Sequence, residues 1–230
     1  MRGEIDLSDL LSLVYLDLAY CEEFNSYLKA LPPKVRYLNM RTDSSQLWVQ
    51  HVEQCANTLE ALVLARPQYQ SSTPQMAINC PNLRFLSIHA PELMLHVIAP
   101  NLSFFEVPPS SAVHLGHIEG IIHLRVGNLD GIHMYSSLRI LQVFSHEPEH
   151  QLNGVLQVLQ VLEDDLNALP ELKIVEFGIS DASNIPMHIL SRLEVRNEKA
   201  GSHIRFYFIT KWVTGLPMES YECAKDMPCQ

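Results

Sequence analysis

The chain has 230 residues, of which 47% are hydrophobic, and its 26 acidic residues against 16 Lys and Arg give a formal net charge of -10. This apolar content is enough to bury a core, and no Gly/Ser-rich linker divides the chain, so we expect one domain. Nucleic-acid binding is not expected, because phosphate contacts need clustered Lys and Arg.

Hydropathy and cysteine content predict a cytoplasmic or nuclear protein with no membrane contact. The most apolar window, 93–105, is too short to span a bilayer. The first 18 residues carry four acidic side chains around a short apolar stretch, which is unlike a secretory signal. Five cysteines at irregular spacing are typical of reduced thiols rather than of a disulfide framework.

A six-residue frame with apolar residues at positions one, four and six recurs along the chain. The first copy, Leu13, Leu16 and Leu18 followed by Cys21, is the full signature of a leucine-rich repeat. Successive frames begin 22, 24, 24, 19, 19, 17 and 34 residues apart, a series that is hard to explain by chance. The eight frames are 13–18, 35–40, 59–64, 83–88, 102–107, 121–126, 138–143 and 172–177, and a ninth at 203–208 fits less well.

Each frame predicts a strand, and a Pro stands two residues before four of the frames. Pro offers no N–H and disfavours helix in the residue before it, so it favours the start of a strand. Between the frames, apolar residues at helical spacing predict helices at 24–31, 44–56 and 152–169. The shorter repeats cannot hold a helix, and the alternation at 91–97 predicts a second extended segment there.

The predicted fold class is α/β, an irregular leucine-rich repeat solenoid with a parallel β-sheet on the concave face. Helices or extended loops are expected on the convex face. Residues 1–184 are predicted to hold about eight repeats, and 185–230 to form a C-terminal capping segment and loose tail. Within that segment the pattern favours a helix from residue 185 toward Gly201 and a last strand at 203–209.

Alternation along each strand predicts which side chains leave the core. Positions one, four and six are expected to point inward, so positions three and five are expected to be exposed on the concave face. Position three is mainly aromatic or apolar and position five mainly polar, which is typical of a protein interface with aromatic anchors. The predicted partner-binding residues are Tyr15, Asp17, Tyr37, Asn39, Phe85, Ser87, Phe104, Glu106, His123 and Arg125. The alternative interpretation is that these side chains pack on one another, or are covered by a segment that this sequence does not include.

One motif suggests a zinc hydrolase. His146, Glu147 and His150 satisfy the His-Glu-x-x-His pattern of zinc metalloproteases. That chemistry needs both imidazoles one turn apart on a continuous helix, and Pro148 between them is unfavourable inside a helix. We therefore expect a solvated loop here, and the hydrolase remains a remote alternative.

A second histidine cluster, His114, His117, His123 and His133, has apolar surroundings and no accompanying Cys or carboxylate pair at ligand spacing. The sequence also contains no Gly-x-Ser-x-Gly elbow, no phosphate-binding Gly loop and no Cys-x-x-Cys pair. These observations predict a protein that is not an enzyme, with no catalytic residue, no metal and no cofactor.

The repeats resemble the leucine-rich repeat region of F-box proteins, the substrate receptors of cullin-RING ubiquitin ligases. The similar phrases are Leu-Val-Tyr-Leu-Asp-Leu-Ala-Tyr-Cys at 13–21, Asn-Thr-Leu-Glu-Ala-Leu-Val-Leu at 57–64, Cys-Pro-Asn-Leu-Arg-Phe-Leu-Ser-Ile at 80–88 and Ala-Pro-Asn-Leu at 99–102. The resemblance covers roughly residues 10–180 and implies capture of a substrate protein on the concave face. In that family a helical F-box precedes the repeats, so binding to the ligase adaptor is expected only if an F-box lies upstream.

The sequence thus predicts a non-enzymatic protein-binding module, the substrate-recognition part of an F-box-like ubiquitin ligase receptor. The alternative in the same class is a repeat fragment of a signalling or immune-type sensor or scaffold. Because repeat scaffolds carry many unrelated tasks, the choice between the two depends on analogy.

Overall fold

The computed structural model describes residues 4–19, 27–41, 45–65, 75–89, 94–107, 112–127, 132–144, 148–164, 169–178, 186–200 and 204–209. The fold is α/β, with parallel strands in sheets and a few helices. The chain divides into two compact units, Met1–Ile118 and Glu119–Gln230. The predicted division after residue 184 concerns repeat content and stays a prediction.

Five frames of the first unit form one parallel sheet. Each strand begins at position three of its frame and is bonded in register to the next, in the order β2, β4, β5, β7, β9. The strands are β2 (Tyr15–Leu18), β4 (Tyr37–Arg41), β5 (Ala61–Ala65), β7 (Phe85–His89) and β9 (Phe104–Val107).

The backbone at position two fixes where each of these strands begins. The carbonyl of Val14 accepts the N–H groups of both Arg36 and Tyr37, and the carbonyl of Arg36 in turn accepts those of Glu60 and Ala61. The same pairing repeats at the next two strands. Because one carbonyl holds two N–H groups of the following repeat, every strand starts at the same position of its frame.

The core of the first unit follows the frame. Most side chains at positions one, four and six are almost fully buried, among them Leu38, Leu62 and Leu86, whereas Leu13, Leu16 and Val107 are half-buried. The predicted helix at 44–56 is confirmed as α1 (Ser45–Cys55), which buries Val52 and packs against strand β6 (Gln75–Asn79).

The opposite side of the first unit changes from helix to strand. A three-stranded parallel sheet in the order β10-β8-β6 contains the extended segment predicted at 91–97. Its strands are β6 (Gln75–Asn79), β8 (Met94–Ile98) and β10 (Ala112–Leu115). The change has a simple cause, since a strand rises more than twice as far per residue as a helix and closes a short repeat with fewer residues.

The helix predicted at 24–31 is wrong for its described part. Residues Leu28–Ala30 form strand β3, which pairs in parallel with β1 (Ile5–Asp6). The Ile5 N–H donates to the carbonyl of Tyr27, and the Leu7 N–H donates to the carbonyl of Ala30. A strand partner from far upstream therefore decides the conformation, which the local helical spacing could not show.

The second unit repeats the strand pattern with larger helices. Strands β11 to β14 pair in parallel and in sequence order, and β14 confirms the doubtful ninth frame. The strands are β11 (His123–Val126), β12 (Ile140–Val143), β13 (Ile174–Gly178) and β14 (Arg205–Ile209). The helices are η1 (Ile132–Met134), a 3-10 turn, α2 (Pro148–Asp164) and α3 (Met187–Ala200).

Helix α2 packs against β13 and against α3, which places two helices in contact within this unit. It also approaches β12 closely, because a Cβ at Gly154 would lie 2.9 Å from Val143 Cγ1. Glycine is therefore the residue that allows this close contact. The helices predicted at 152–169 and after residue 185 are confirmed, although α2 begins earlier, at Pro148, a residue type favoured in the first helical turn.

Two of the five cysteines, Cys55 and Cys80, are buried free thiols in the described structure, and burial raises the pKa of each to about 12. Such thiols stay protonated and unreactive at neutral pH. Among the described helices, none combines the length and apolar character needed to cross a membrane.

Candidate functional site

The two predicted rows of side chains exist in the first unit with the predicted register. The position-three row joins one residue from each strand, and the position-five row joins the residue two places further along. The position-three row is Tyr15, Tyr37, Ala61, Phe85 and Phe104, and the position-five row is Asp17, Asn39, Val63, Ser87 and Glu106.

The position-three row of this unit is not exposed, and that part of the prediction is wrong. Phe85 is 1% exposed, Phe104 2% and Tyr37 4%, whereas Tyr15 at the first strand is half-buried. The cause lies in the register, because neighbouring parallel strands place identical positions about 5 Å apart, close enough for rings to stack. The ring centroids of Tyr15 and Tyr37 lie 4.3 Å apart, as do those of Phe85 and Phe104, with nearly parallel planes in both pairs.

The position-five row is also mostly buried, contrary to the prediction. Asn39, Ser87 and Glu106 are each less than a tenth exposed, and only Asp17 is open to solvent. Asn39 Nδ2 donates to Asp17 Oδ2 at 3.1 Å, and the backbone N–H of Ala19 donates to Asp17 Oδ1 at 2.9 Å. The bond to Asp17 gives the buried amide of Asn39 a hydrogen-bond partner, as burial of a polar group requires.

A second polar group surrounds Glu106. Ser87 Oγ donates to Glu106 Oε2 at 2.7 Å, and His89 Nε2 lies 2.8 Å from the same hydroxyl oxygen. Because the serine proton is directed to Glu106, His89 Nε2 donates to Ser87. His89 itself is exposed, with Nε2 3.9 Å from the Glu106 carboxylate.

This trio differs from a serine hydrolase triad in two ways. A triad needs a histidine that takes the serine proton and a carboxylate on the other ring nitrogen. Here the carboxylate accepts the hydrogen bond of the serine hydroxyl and lies near the same nitrogen, Nε2. Ser87 is moreover 2% exposed, so its hydroxyl does not face a substrate. The arrangement keeps a buried carboxylate hydrogen-bonded.

The tyrosines at the first strands are hydrogen-bonding groups rather than acids or bases. Burial and, to a smaller extent, Asp17 raise the pKa of Tyr15, and a hydrogen bond with Tyr37 opposes this effect. Burial, with smaller contributions from Tyr15 and Asp17, raises the pKa of Tyr37 more strongly. Both phenols therefore stay neutral across the physiological pH range.

In the second unit the same two rows are in register. Their side chains are half-buried on β11, β12 and β13 and exposed on β14, so the rows meet solvent over part of their surface. Each row gains a fourth member from β14, which the sequence did not assign to it. The position-three row is His123, Ile140, Ile174 and Arg205, and the position-five row is Arg125, Gln142, Glu176 and Tyr207.

Several polar side chains of these two rows in the second unit interact with neighbouring side chains. The guanidinium carbon of Arg125 lies 5.3 Å from the centroid of the Phe144 ring, a cation–π contact. Gln142 Nε2 donates to Glu176 Oε2. Burial lowers the pKa of His123 to about 4, with Arg125 adding to the effect and a hydrogen bond to Gln142 opposing it. His123 is thus a neutral side chain at physiological pH.

The structure describes only part of the two histidine motifs. His146 and Glu147 lie outside the described residues, and the segment predicted as a loop is helical from Pro148, where α2 begins. His114 lies on β10 and His123 on β11. No group of three or more His, Cys, Asp or Glu with metal-binding geometry occurs within the ranges given above.

His89 and Tyr207 are two residues of these faces that sequence reasoning missed. His89 stands two places beyond position five on β7, and Tyr207 takes position five of the doubtful ninth frame. Extending the alternation by one step on each strand, and accepting the ninth frame, would have found both.

Comparisons with known proteins found no matching family model, no matching curated protein and no matching solved structure.

Proposed function

We propose that the chain is a non-enzymatic protein-binding module of the leucine-rich repeat kind. It binds a protein partner on the strand face, which is the face of the sheet formed by the position-three and position-five rows. The observation that carries this proposal is the in-register pairing of successive frames, which lines up one row of apolar side chains beside one row of polar side chains. Regular rows of this kind are how repeat proteins build extended binding surfaces.

The strand face of the second unit is the proposed contact surface. In the first unit the rings of Phe85 and Phe104 stack on each other and are buried, so they have little surface left for a partner. In the second unit Ile140 and Ile174 are half-buried, and Tyr207 is 42% exposed.

The chemistry of this face fits a protein partner. It combines the aliphatic Ile140 and Ile174 with both signs of charge, Arg125 and Glu176, and with an aromatic ring at Tyr207. Aromatic and Arg anchors surrounded by hydrogen-bonding groups are the composition of protein interfaces. Of the originally predicted residues, His123 and Arg125 lie on this face, and Tyr15 and Asp17 keep some exposure in the first unit.

The finer proposal is that the partner is a substrate of a cullin-RING ubiquitin ligase. It is supported by the resemblance of the repeat phrases to F-box proteins and by the parallel strands those phrases form. A sensor or scaffold module would use the same face, so the ubiquitin modification of the captured partner distinguishes a ligase receptor from a sensor or scaffold. A partner of a ligase receptor loses ubiquitin modification when the protein is depleted from cells, whereas a scaffold partner does not.

The experiment compares two double variants in affinity capture from cell extract with quantitative mass spectrometry. Ile174→Ala/Tyr207→Ala removes apolar contacts from the proposed face. Met187→Ala/Val195→Ala removes two exposed apolar side chains from α3, of which Met187 is 74% exposed. We expect at least one protein to be depleted about tenfold with the first variant and unchanged with the second, since two interface truncations cost about 1–2 kcal/mol together.

Equal capture profiles for the native chain and both variants, with all three proteins folded by circular dichroism, would reject the strand-face proposal. Loss of the same proteins from both variants would also contradict it, because that result reports a general effect of removing exposed apolar side chains.

A further inference from the structure

A cleft of about 370 Å³ lies at the starts of the strands of the first unit, beside the strand face rather than on it. Its walls come from position two of successive frames and from the turns before them. Position two contributes Val14, Arg36, Glu60 and Arg84, the residues whose carbonyls fix the strand starts.

The charge of this cleft differs from that of the chain. Three cationic side chains, Lys34, Arg36 and Arg84, face one carboxylate, Glu60, in a protein whose formal net charge is -10. All three cations are exposed. A locally positive site on an acidic protein attracts anionic groups of a ligand.

One carboxylate is already bound in the cleft, and its geometry shows what the cleft recognises. Arg36 Nε donates to Glu60 Oε1 and Arg36 Nη2 donates to Glu60 Oε2, both at 2.7 Å. This is the two-pronged pairing of a guanidinium with a carboxylate. Glu60 is supplied by the strand next to that of Arg36.

Arg84 occupies the same frame position one strand beyond Glu60, but the next repeat offers Ser103 in place of an acidic residue. Within the part of the chain that the structure describes, no carboxylate lies within ion-pair distance of Arg84 or of Lys34. The cleft thus holds one completed Arg–carboxylate pair and two cations available for another.

The asparagines of the same turns supply hydrogen-bonding groups for a main chain. Asn82 Nδ2 donates to the Asn57 carbonyl and Asn101 Nδ2 donates to the Pro81 carbonyl, each at 2.7 Å, which ties consecutive turns together. A side-chain amide has two N–H groups and an acceptor oxygen, so each asparagine retains an N–H and its Oδ1 for a ligand.

We propose that this cleft binds an acidic peptide segment of a protein ligand, with one carboxylate paired to Arg84 and a neighbouring carboxylate on Lys34. The asparagine amides bond to the peptide backbone. The site is exposed, so the binding is weak and depends strongly on salt. It is separate from the proposed partner-binding face of the second unit, and either proposal can fail without the other.

The test measures fluorescence anisotropy of a labelled hexaglutamate peptide with the full chain, and a hexaglutamine peptide serves as the neutral probe. Arg84→Gln and Lys34→Gln should each weaken hexaglutamate binding about fivefold, as expected for loss of a partly exposed charge-assisted contact. The matched control is Lys29→Gln, which removes an exposed cation of the same unit, 61% exposed and outside the cleft.

Glu60→Gln provides a change in the opposite direction. It frees Arg36 from its intramolecular carboxylate, so hexaglutamate affinity should rise about fivefold. The backbone of Glu60 and Arg84, not their side chains, holds the strand starts, and Lys34 and Lys29 are exposed. We therefore expect all four variants to fold, as checked by circular dichroism.

Three results would overturn the proposal. The first is an equal loss of affinity in Lys29→Gln and Arg84→Gln, which would indicate attraction to net charge alone. The second is an unchanged affinity in Glu60→Gln. The third is equal binding of hexaglutamate and hexaglutamine, or binding that does not weaken between low and high salt.

Discussion

The two units use the same repeat frame but treat their strand faces differently. In the first unit, the face away from the frame core forms aromatic stacks and buried hydrogen-bond networks, around Phe85 and Glu106. In the second unit, the equivalent positions hold Ile140 and Gln142, which are only half-buried. A repeat frame therefore determines where a row of side chains stands but not whether that row is available to a partner.

The difference follows from what occupies adjacent strands. Two aromatic rings at neighbouring positions of a parallel pair have the spacing for face-to-face contact, and they remove each other from water. Ile140 and Ile174, at the same spacing, each leave part of the side chain in solvent. Aromatic pairs thus turn the first unit's strand face into packing surface, and the aliphatic pair leaves the second unit's face accessible.

The largest expected effect breaks the aromatic stack. Phe85→Ala should lower the free energy of unfolding by about 4 kcal/mol, because a fully buried ring leaves a cavity and Phe104 loses its stacking partner. Ile140→Ala, at the same frame position of the second unit, should cost about 1–2 kcal/mol because its side chain is half-buried. Urea unfolding followed by circular dichroism measures both, and equal costs would contradict the comparison.

The next effect concerns acid stability of the second unit. In the unfolded chain the His123 imidazole takes up a proton as pH falls through its ordinary pKa near 6.5. In the folded protein its pKa is about 4, so protonation occurs only at that lower pH. Stability should therefore fall by about 3 kcal/mol between pH 6.5 and 4 and change little from this cause below that window. Unfolding free energies across this pH range provide the measurement.

The variant His123→Gln should flatten this pH dependence without abolishing it. Burial also lowers the pKa of His51 in the first unit, whose two ring nitrogens have no hydrogen-bond partner among the described residues, so a residual slope should persist. A variant with the full slope of the native chain would show that His123 is protonated in the folded state.

The smallest effect compares the polar rows. Ser87→Ala removes a hydrogen bond to a buried carboxylate and should cost about 1–2 kcal/mol. Gln142→Ala removes a bond to Glu176 at a half-buried site and should cost about 0.5 kcal/mol. The same urea titration ranks them, and the reverse order would mean that Glu106 is solvated in the folded protein.

Much of the strand architecture could be predicted because it depends on residues that are close together in the sequence. Apolar residues at positions one, four and six need the same burial in every repeat, so the frame predicted eight strands and their register, and α1 through α3 followed from helical spacing. The predictions that failed depend on partners distant in sequence. Leu28–Ala30 became a strand because β1 pairs with it.

The sequence by itself therefore determined the repeat, the strand positions and the side chains that share a row, since alternation and period are properties of the local chain. Only the tertiary structure decided that Phe85 and Phe104 are buried and that Tyr207 is open. It also decided that Glu60 pairs with Arg36 and leaves Arg84 available. Burial and ion pairing depend on which groups from separate repeats meet across a few ångströms, and no single repeat contains that information.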